Sequence, residues 1–279
     1  MRNLFCATLA RMRRAKILWI ELLVAVLISV FVIINGYFST NITNAYVFKL
    51  IARFFGYAPC VGIYIAIFSA WLWGNDYEYG TLRNKMVCGR NRSEVYLSHL
   101  LSSMVAALAV MGAYLAVHLV LGVPILGYPS LTLTTAQIVI CILSSLLMAA
   151  ALASVCCLLA SLVKNKAGGV LLCLSVVVAM IIIGVTLYDR FSEPEIEMNV
   201  WVWWGDNVDE KWHPENERYV GGWARIVMEL VICVIPGAQG VLLMEQAVEH
   251  YAFPAIGSVI IICLTTLAGI KIFQQKDFN

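Results

Sequence analysis

"EYGTLRNKMVCGRNRSEVYLSHLL", residues 78–101, joins two runs that are built for lipid. The seventeen residues from Glu78 to Glu94 carry six charges, in a chain where charged residues are only 13% of the total. Upstream, residues 54–73 hold no Asp, Glu, Lys, Arg or His, and downstream a long apolar run starts near His99. A soluble domain is about half apolar and about a quarter charged. This chain is 61% hydrophobic over 279 residues, with a mean hydropathy of +0.84. Such a composition describes an all-α integral membrane protein in one transmembrane domain, and the connector is one of its few concentrations of polar surface.

A helix needs about 20 mainly apolar residues to cross the hydrocarbon. Spans are expected at about 17–37, 54–73, 99–122, 135–163, 169–188 and 254–273. With the N-terminus inside, the inner segments hold thirteen of the 19 Lys and Arg residues, so both termini are expected in the cytoplasm. Trp71 and Trp73 then end the second span at the inner interface, where amphipathic rings prefer to sit. No separate secretory signal is expected, because the first apolar run is too long and lacks a small-residue cleavage site. The nine cysteines read as small buried hydrophobes rather than a disulfide scaffold.

The stretch 223–250 is apolar but interrupted by Pro236, Gly237 and Gly240. Its first half is too short to span, so two short helices that dip in from the outer face and return fit better than a seventh crossing. Ahead of span 1, the basic amphipathic stretch "LARMRRAKILWIELLVAVL" reads as an N-terminal amphipathic helix. In the connector, Asn75 or Asp76 is a candidate cap and Gly89 a stop. Between them Tyr79, Leu82 and Met86 form an apolar stripe, with Arg83 and Lys85 facing elsewhere. That pattern suits a short helix lying along the membrane; a solvated basic loop obeying the positive-inside rule is the plainer alternative.

Residues 78–101 resemble the first cytoplasmic loop of the type-2 ABC transporter permeases, especially those of Gram-positive bacteria. Glu78, Gly80, Thr81, Leu82, Arg83, Gly89, Arg92 and Ser93 match that family's pattern, while His99 stands where the family usually has Lys. The N-terminal stretch, the "KNKAGG" turn after span 4 and the Pro-Gly-x-Gln segment "IPGAQG" before span 6 are also similar, so the likeness covers the whole chain. The resemblance implies a permease subunit of an ATP-driven exporter in the bacterial cytoplasmic membrane. It implies a coupling helix between spans 2 and 3 that docks on a separate ABC ATPase. Two ATPase copies and a second permease chain, identical or paralogous, would complete the assembly. Asp76, Glu78, Gly80, Thr81, Leu82, Arg83, Lys85 and Met86 are then the candidate coupling residues, with polar contacts at the rim and Leu82 and Met86 as anchors.

The chain is not expected to be an enzyme. It has no G-x-x-x-x-G-K-[ST] phosphate loop, no Cys-x-x-Cys and no His-Glu-x-x-His. No cofactor is called for here; ATP and Mg belong to the partner. No nucleic-acid partner is indicated, and the lipid bilayer is the solvent. Glu21, one turn from the basic end of span 1, reads as a snorkelling partner for Arg13, Arg14 or Lys16, which argues against a proton- or sodium-coupled carrier. No span is expected to carry a charge deep enough to select a cationic substrate. The small face of span 4 (Ser144, Ala149, Ala153, Ser154, Cys157, Ser161) suits packing within one subunit, with a permease–permease contact or translocation path as the alternative.

Outside, residues 189–222 hold nine acids against three bases, net −6, and four tryptophans. Alternating Val and Trp at 200–203 suggests a short strand or hairpin closed at Gly205-Asp206. This loop is either a solvated cap or a lid that selects a cationic amphiphile, antibiotic or peptide through Glu193, Glu195, Glu197, Trp203 and Trp204. Two other functions remain open: a membrane receptor or immunity protein that binds an extracellular peptide without transport, and an ATP-independent channel.

Overall fold

The computed structural model describes residues 2–40, 55–126, 135–193, 195, 216, 218–245 and 253–276. Among these residues there are helices and turns and no strand. In chain order the helices are α1 (Arg2–Arg14), α2 (Lys16–Thr40), α3 (Val61–Glu78), α4 (Thr81–Val87) and α5 (Arg92–Val117). They continue with α6 (Thr135–Leu162), α7 (Lys166–Ser192), α8 (Trp223–Val234), α9 (Pro236–Glu245) and α10 (Phe253–Gln275). A π-helical turn, His118–Gly122, and one last helical turn, Val123–Leu126, extend α5.

Five helical stretches are long and apolar enough to cross a membrane: Lys16–Asn35, Arg92–Ile125, Ala136–Leu162, Lys166–Arg190 and Phe253–Gln275. Each overlaps one expected span. The remaining expected span, 54–73, corresponds to α3, which starts at Val61 and runs on through the polar turn Asn75-Asp76-Tyr77-Glu78. Asn75 and Asp76 therefore lie inside α3 and do not cap the connector helix. Trp73 also departs from expectation: it is fully buried, and its ring packs against Tyr96, His99 and Phe273. Its indole N–H faces the Cys157 thiol at 3.2 Å. An amphipathic ring prefers the interface only when no protein partner takes both its face and its N–H.

Helix α6 is the hub, packed against α3, α5, α9 and α10. Its small residues Ser144, Ala149, Ala153, Ser154, Cys157 and Ser161 are all buried within this chain. Lipid tails are as apolar as leucine, so close approach of backbones and interhelical hydrogen bonds hold such a bundle. Thr265 of α10 donates one such bond to the Ser154 hydroxyl at 2.8 Å. All nine cysteines are free.

Helices α8 and α9 meet at a 105° bend. Ile235 is extended (φ −80°, ψ 113°), and Pro236 has no N–H to continue the ladder. The Cys233 carbonyl left at the break is taken by the Gln239 side-chain amide, whose oxygen accepts from the Ser258 hydroxyl of α10 at 2.7 Å. Gln239 and Ser258 are fully buried, so freed backbone is satisfied by protein, as depth in a membrane demands. Replacing Gln239 with Leu should cost roughly 1–3 kcal/mol, the penalty of one buried carbonyl without a donor. The readout is the melting temperature of the purified protein; an unchanged value would mean that another donor reaches Cys233.

Glu21 also departs from expectation. It is 5% exposed, and neither carboxyl oxygen accepts a hydrogen bond. Buried and without a hydrogen-bond partner, it is not the expected snorkelling partner of Arg13, Arg14 or Lys16.

Candidate coupling site

The connector is assembled around one carboxylate. Asp76, in the last turn of α3, is 0% exposed. Its Oδ1 accepts from the Arg11 guanidinium of α1 and from the Thr81 hydroxyl at 2.6 Å. Its Oδ2 accepts from the Lys85 ammonium of α4 and faces His99 Nε2 of α5 at 2.8 Å. An ionised carboxylate offers about four lone-pair sites, so its acceptor capacity is filled. The other His99 nitrogen, Nδ1, lies 2.9 Å from the Val95 carbonyl, which fixes the ring. Four segments of the chain (α1, α3, α4 and α5) thus converge on a single buried charge. Burial pulls the Lys85 ammonium down from its ordinary pKa, and the Asp76 charge pushes it back up.

Local backbone explains how α4 reaches this carboxylate. Helix α3 ends at Tyr79, and Gly80 takes the left-handed conformation (φ +62°) that reverses the chain within one residue. Thr81 and Lys85, one turn apart, then present one face of α4 to Asp76. Leu82, 3% exposed, tucks the same short helix onto the core.

Around this cluster the helix ends secure one another. Lys166 donates to the Asn75 side chain at 3.0 Å. Arg92 donates to the carbonyls of Gln274 and Lys276, both at 2.7 Å, at the end of α10. Lys276 donates to the Ser161 and Leu162 carbonyls at the end of α6 and to the Tyr77 hydroxyl. Cations on the last carbonyls of a helix are favoured by its dipole and complete its unpaired acceptors.

The eight candidate coupling residues therefore divide. Asp76 and Leu82 face the chain's own interior, Thr81, Lys85 and Met86 are half-buried, and Glu78, Gly80 and Arg83 are exposed. Tyr79 and Val87 join the exposed face at 75% and 81% exposure. Sequence reasoning gives neither Arg11 nor His99 a place at this site. The one available signal is that His99 stands where the resembled pattern usually has Lys.

At the base of the 189–222 loop, the Asn216 side chain donates to Glu193 at 2.9 Å, and the Asn216 backbone N–H donates to the Glu195 carbonyl at 3.2 Å. Arg218 stands 3.9 Å from Glu193. Glu193 thus closes the base of the loop, while Glu195 is exposed. Glu197, Trp203, Trp204 and the expected hairpin lie outside the described residues.

A family model described as ABC-2 family transporter protein matches residues 8–185, which include α2 to α6 and most of α1 and α7. The chain belongs to this family. It is accordingly a multi-pass membrane component of an ABC transporter, and the family implies an ABC ATPase as partner. Comparison with curated proteins finds no match to the chain.

Proposed function

We propose that this chain is the permease subunit of an ATP-driven exporter and that the exposed face of α4 and its flanking turns docks on the ATPase. The observation that carries this reading is the division of the connector. One face is fastened through Asp76 and Leu82 to α1, α3 and α5, while Glu78, Tyr79, Arg83, Asn84 and Val87 face outward. Force on the outward face passes to three long helices through a fixed charge cluster rather than a floppy loop. Exposed apolar groups beside opposite charges suit an interface with a partner of mixed character.

In this reading the N- and C-termini and α4 lie in the cytoplasm of a bacterial cell, and α8–α9 re-enters from the outer face. Two permease chains, identical or paralogous, pair with two ATPases, and the acidic Trp-rich loop selects a peptide, antibiotic or other amphiphile. Glu78→Lys with Arg83→Glu should reduce recovery of the ATPase on the tagged permease by about tenfold or more, with membrane insertion unchanged, since a like-charge mismatch across an interface costs several kcal/mol. Recovery at wild-type strength would remove the coupling assignment. Single cysteines at positions 225 and 250 in a Cys-free background should both label from outside; labelling of position 250 only from the cytosol would establish a crossing there.

A further inference from the structure

Between α2, the turn before α3, α3 itself and α5 lies a cavity of ≈ 140 Å³. Its walls include Ala25 and Ile28 of α2, the rings of Tyr57, Tyr64 and Tyr114, and Val110. Glu21 precedes Ala25 by four residues and Ile28 by seven, so all three lie on one face of the helix. Tyr64 is within electrostatic reach of the Glu21 carboxyl. Glu21 itself is not among the lining residues: it lies one turn before the Ala25 wall, on the α1 side, buried and without a hydrogen-bond donor on either oxygen.

A carboxyl in that position is costly unless a cation or a proton meets it. An ionisable group inside a membrane bundle marks a functional site by default. The aromatic walls are held in place: Tyr57 and Tyr114 lie with ring centroids 4.9 Å apart, and Tyr114 stacks on His118 at 4.3 Å. The Tyr57 hydroxyl donates away from the cavity to Ser145 at 2.8 Å, which leaves the ring as the wall. An aromatic-walled cavity beside a carboxyl suits an alkylammonium head, since quaternary ammonium groups are recognised by aromatic faces. The size agrees: a cavity of about 150 Å³ holds a benzene molecule, so this one takes a trimethylammonium group but not a peptide. Ile28 both lines the cavity and is 41% exposed on the outer surface of the bundle, which gives an alkyl tail a way out to lipid.

We propose that this cavity binds the head of an alkylammonium amphiphile, with Glu21 as counter-ion and Tyr57, Tyr64 and Tyr114 as walls. A buried carboxyl on α2 thereby takes the role that the sequence assigns to no span, selection of a cationic compound. The test uses the purified full chain in phosphatidylglycerol nanodiscs, without any ATPase, so its outcome is independent of the coupling proposal. Decyltrimethylammonium is compared with an uncharged probe of equal shape, the same chain ending in a tert-butyl group, by thermal stabilisation at increasing concentration. The cation should bind roughly tenfold more tightly than the neutral probe, the ratio that a single favourable charge contact provides. Glu21→Gln should abolish that preference. Ala25→Phe, which fills the cavity, should remove binding of both probes while melting at or above the wild-type temperature. Equal binding of both probes to the wild-type chain, or an undiminished preference in Glu21→Gln, would overturn the proposal. Repeating the titration in phosphatidylethanolamine and phosphatidylcholine nanodiscs, both zwitterionic so that surface potential does not differ, separates sources: a weaker apparent affinity in phosphatidylcholine identifies the choline lipid as the occupant, and an unchanged one identifies the free amphiphile.

Discussion

Replacing Asp76 with Ala should destabilise the protein by roughly 3–5 kcal/mol, because it leaves buried cationic partners with no counter-charge. Asp76 is the shared acceptor for Arg11, Thr81, Lys85 and His99. The loss of counter-charge falls mainly on the Lys85 ammonium, 18% exposed; His99, 0% exposed, loses the partner of its Nε2, and Arg11, at 36%, recovers part of its hydration. Asp76→Asn keeps the shape and loses the charge, so its effect should be smaller than that of Asp76→Ala. The discriminating variant is Asp76→Leu combined with Lys85→Met, Arg11→Met and His99→Leu. An apolar replacement of a whole buried ion cluster is often close to neutral, whereas removal of one partner is not. The combined variant should therefore melt nearer to wild type than Asp76→Ala does. The measurement is thermal unfolding of the purified protein, with protease sensitivity at Arg83 as a local probe. If Asp76→Ala melts with the wild type, the cluster does not organise the connector.

The sequence hides these residues for a physical reason. The apolar runs are plain because period and length alone announce a spanning helix, and five of the expected spans overlap helices that are long and apolar enough to cross. The break at Pro236 is equally plain, since proline removes a donor wherever it falls. Direction is what a sequence does not display. Asp76, Glu78, Arg83 and Lys85 look alike in a sequence, yet two of them turn inward and two outward: Asp76 and Glu78 are sorted by which face of α3 is packed, and Arg83 and Lys85 by how the left-handed Gly80 presents α4. Arg11 joins the site from 65 residues away, through an N-terminal helix whose basic residues read only as a membrane-surface pattern. Glu21 looks able to reach the headgroups because it is close in sequence to a basic cluster. Burial depends instead on which face of α2 meets α3 and α5, and an almost uniformly apolar helix gives no periodicity from which to read a face.

Gly257→Ala should be the most damaging of the single-methyl additions around the α8–α9 break, at roughly 3 kcal/mol. A Cβ at this position would stand 2.1 Å from the Cys233 carbonyl oxygen and 2.9 Å from its carbon. Both are backbone atoms at the α8–α9 break, held from the other side by Gln239, so neither can yield as a flexible side chain would. Relief requires α10 to move away from α8 and α9, which would also strain the Ser258–Gln239 hydrogen bond one residue along. The glycine and the glutamine thus serve one purpose from two sides: the amide satisfies the freed carbonyl, and the missing methyl lets α10 cover it. Gly112→Ala in α5 is the matched control. An added Cβ there meets open space, and the alanine should be neutral or stabilising by up to about 1 kcal/mol through helix propensity. The pair is compared by melting temperature and by labelling of a cysteine at position 233. The expected result is a lower melting temperature and faster thiol labelling for Gly257→Ala alone. Similar behaviour of the two variants would mean that α10 rests on the break loosely and that the bend is held by α9 and α7 instead.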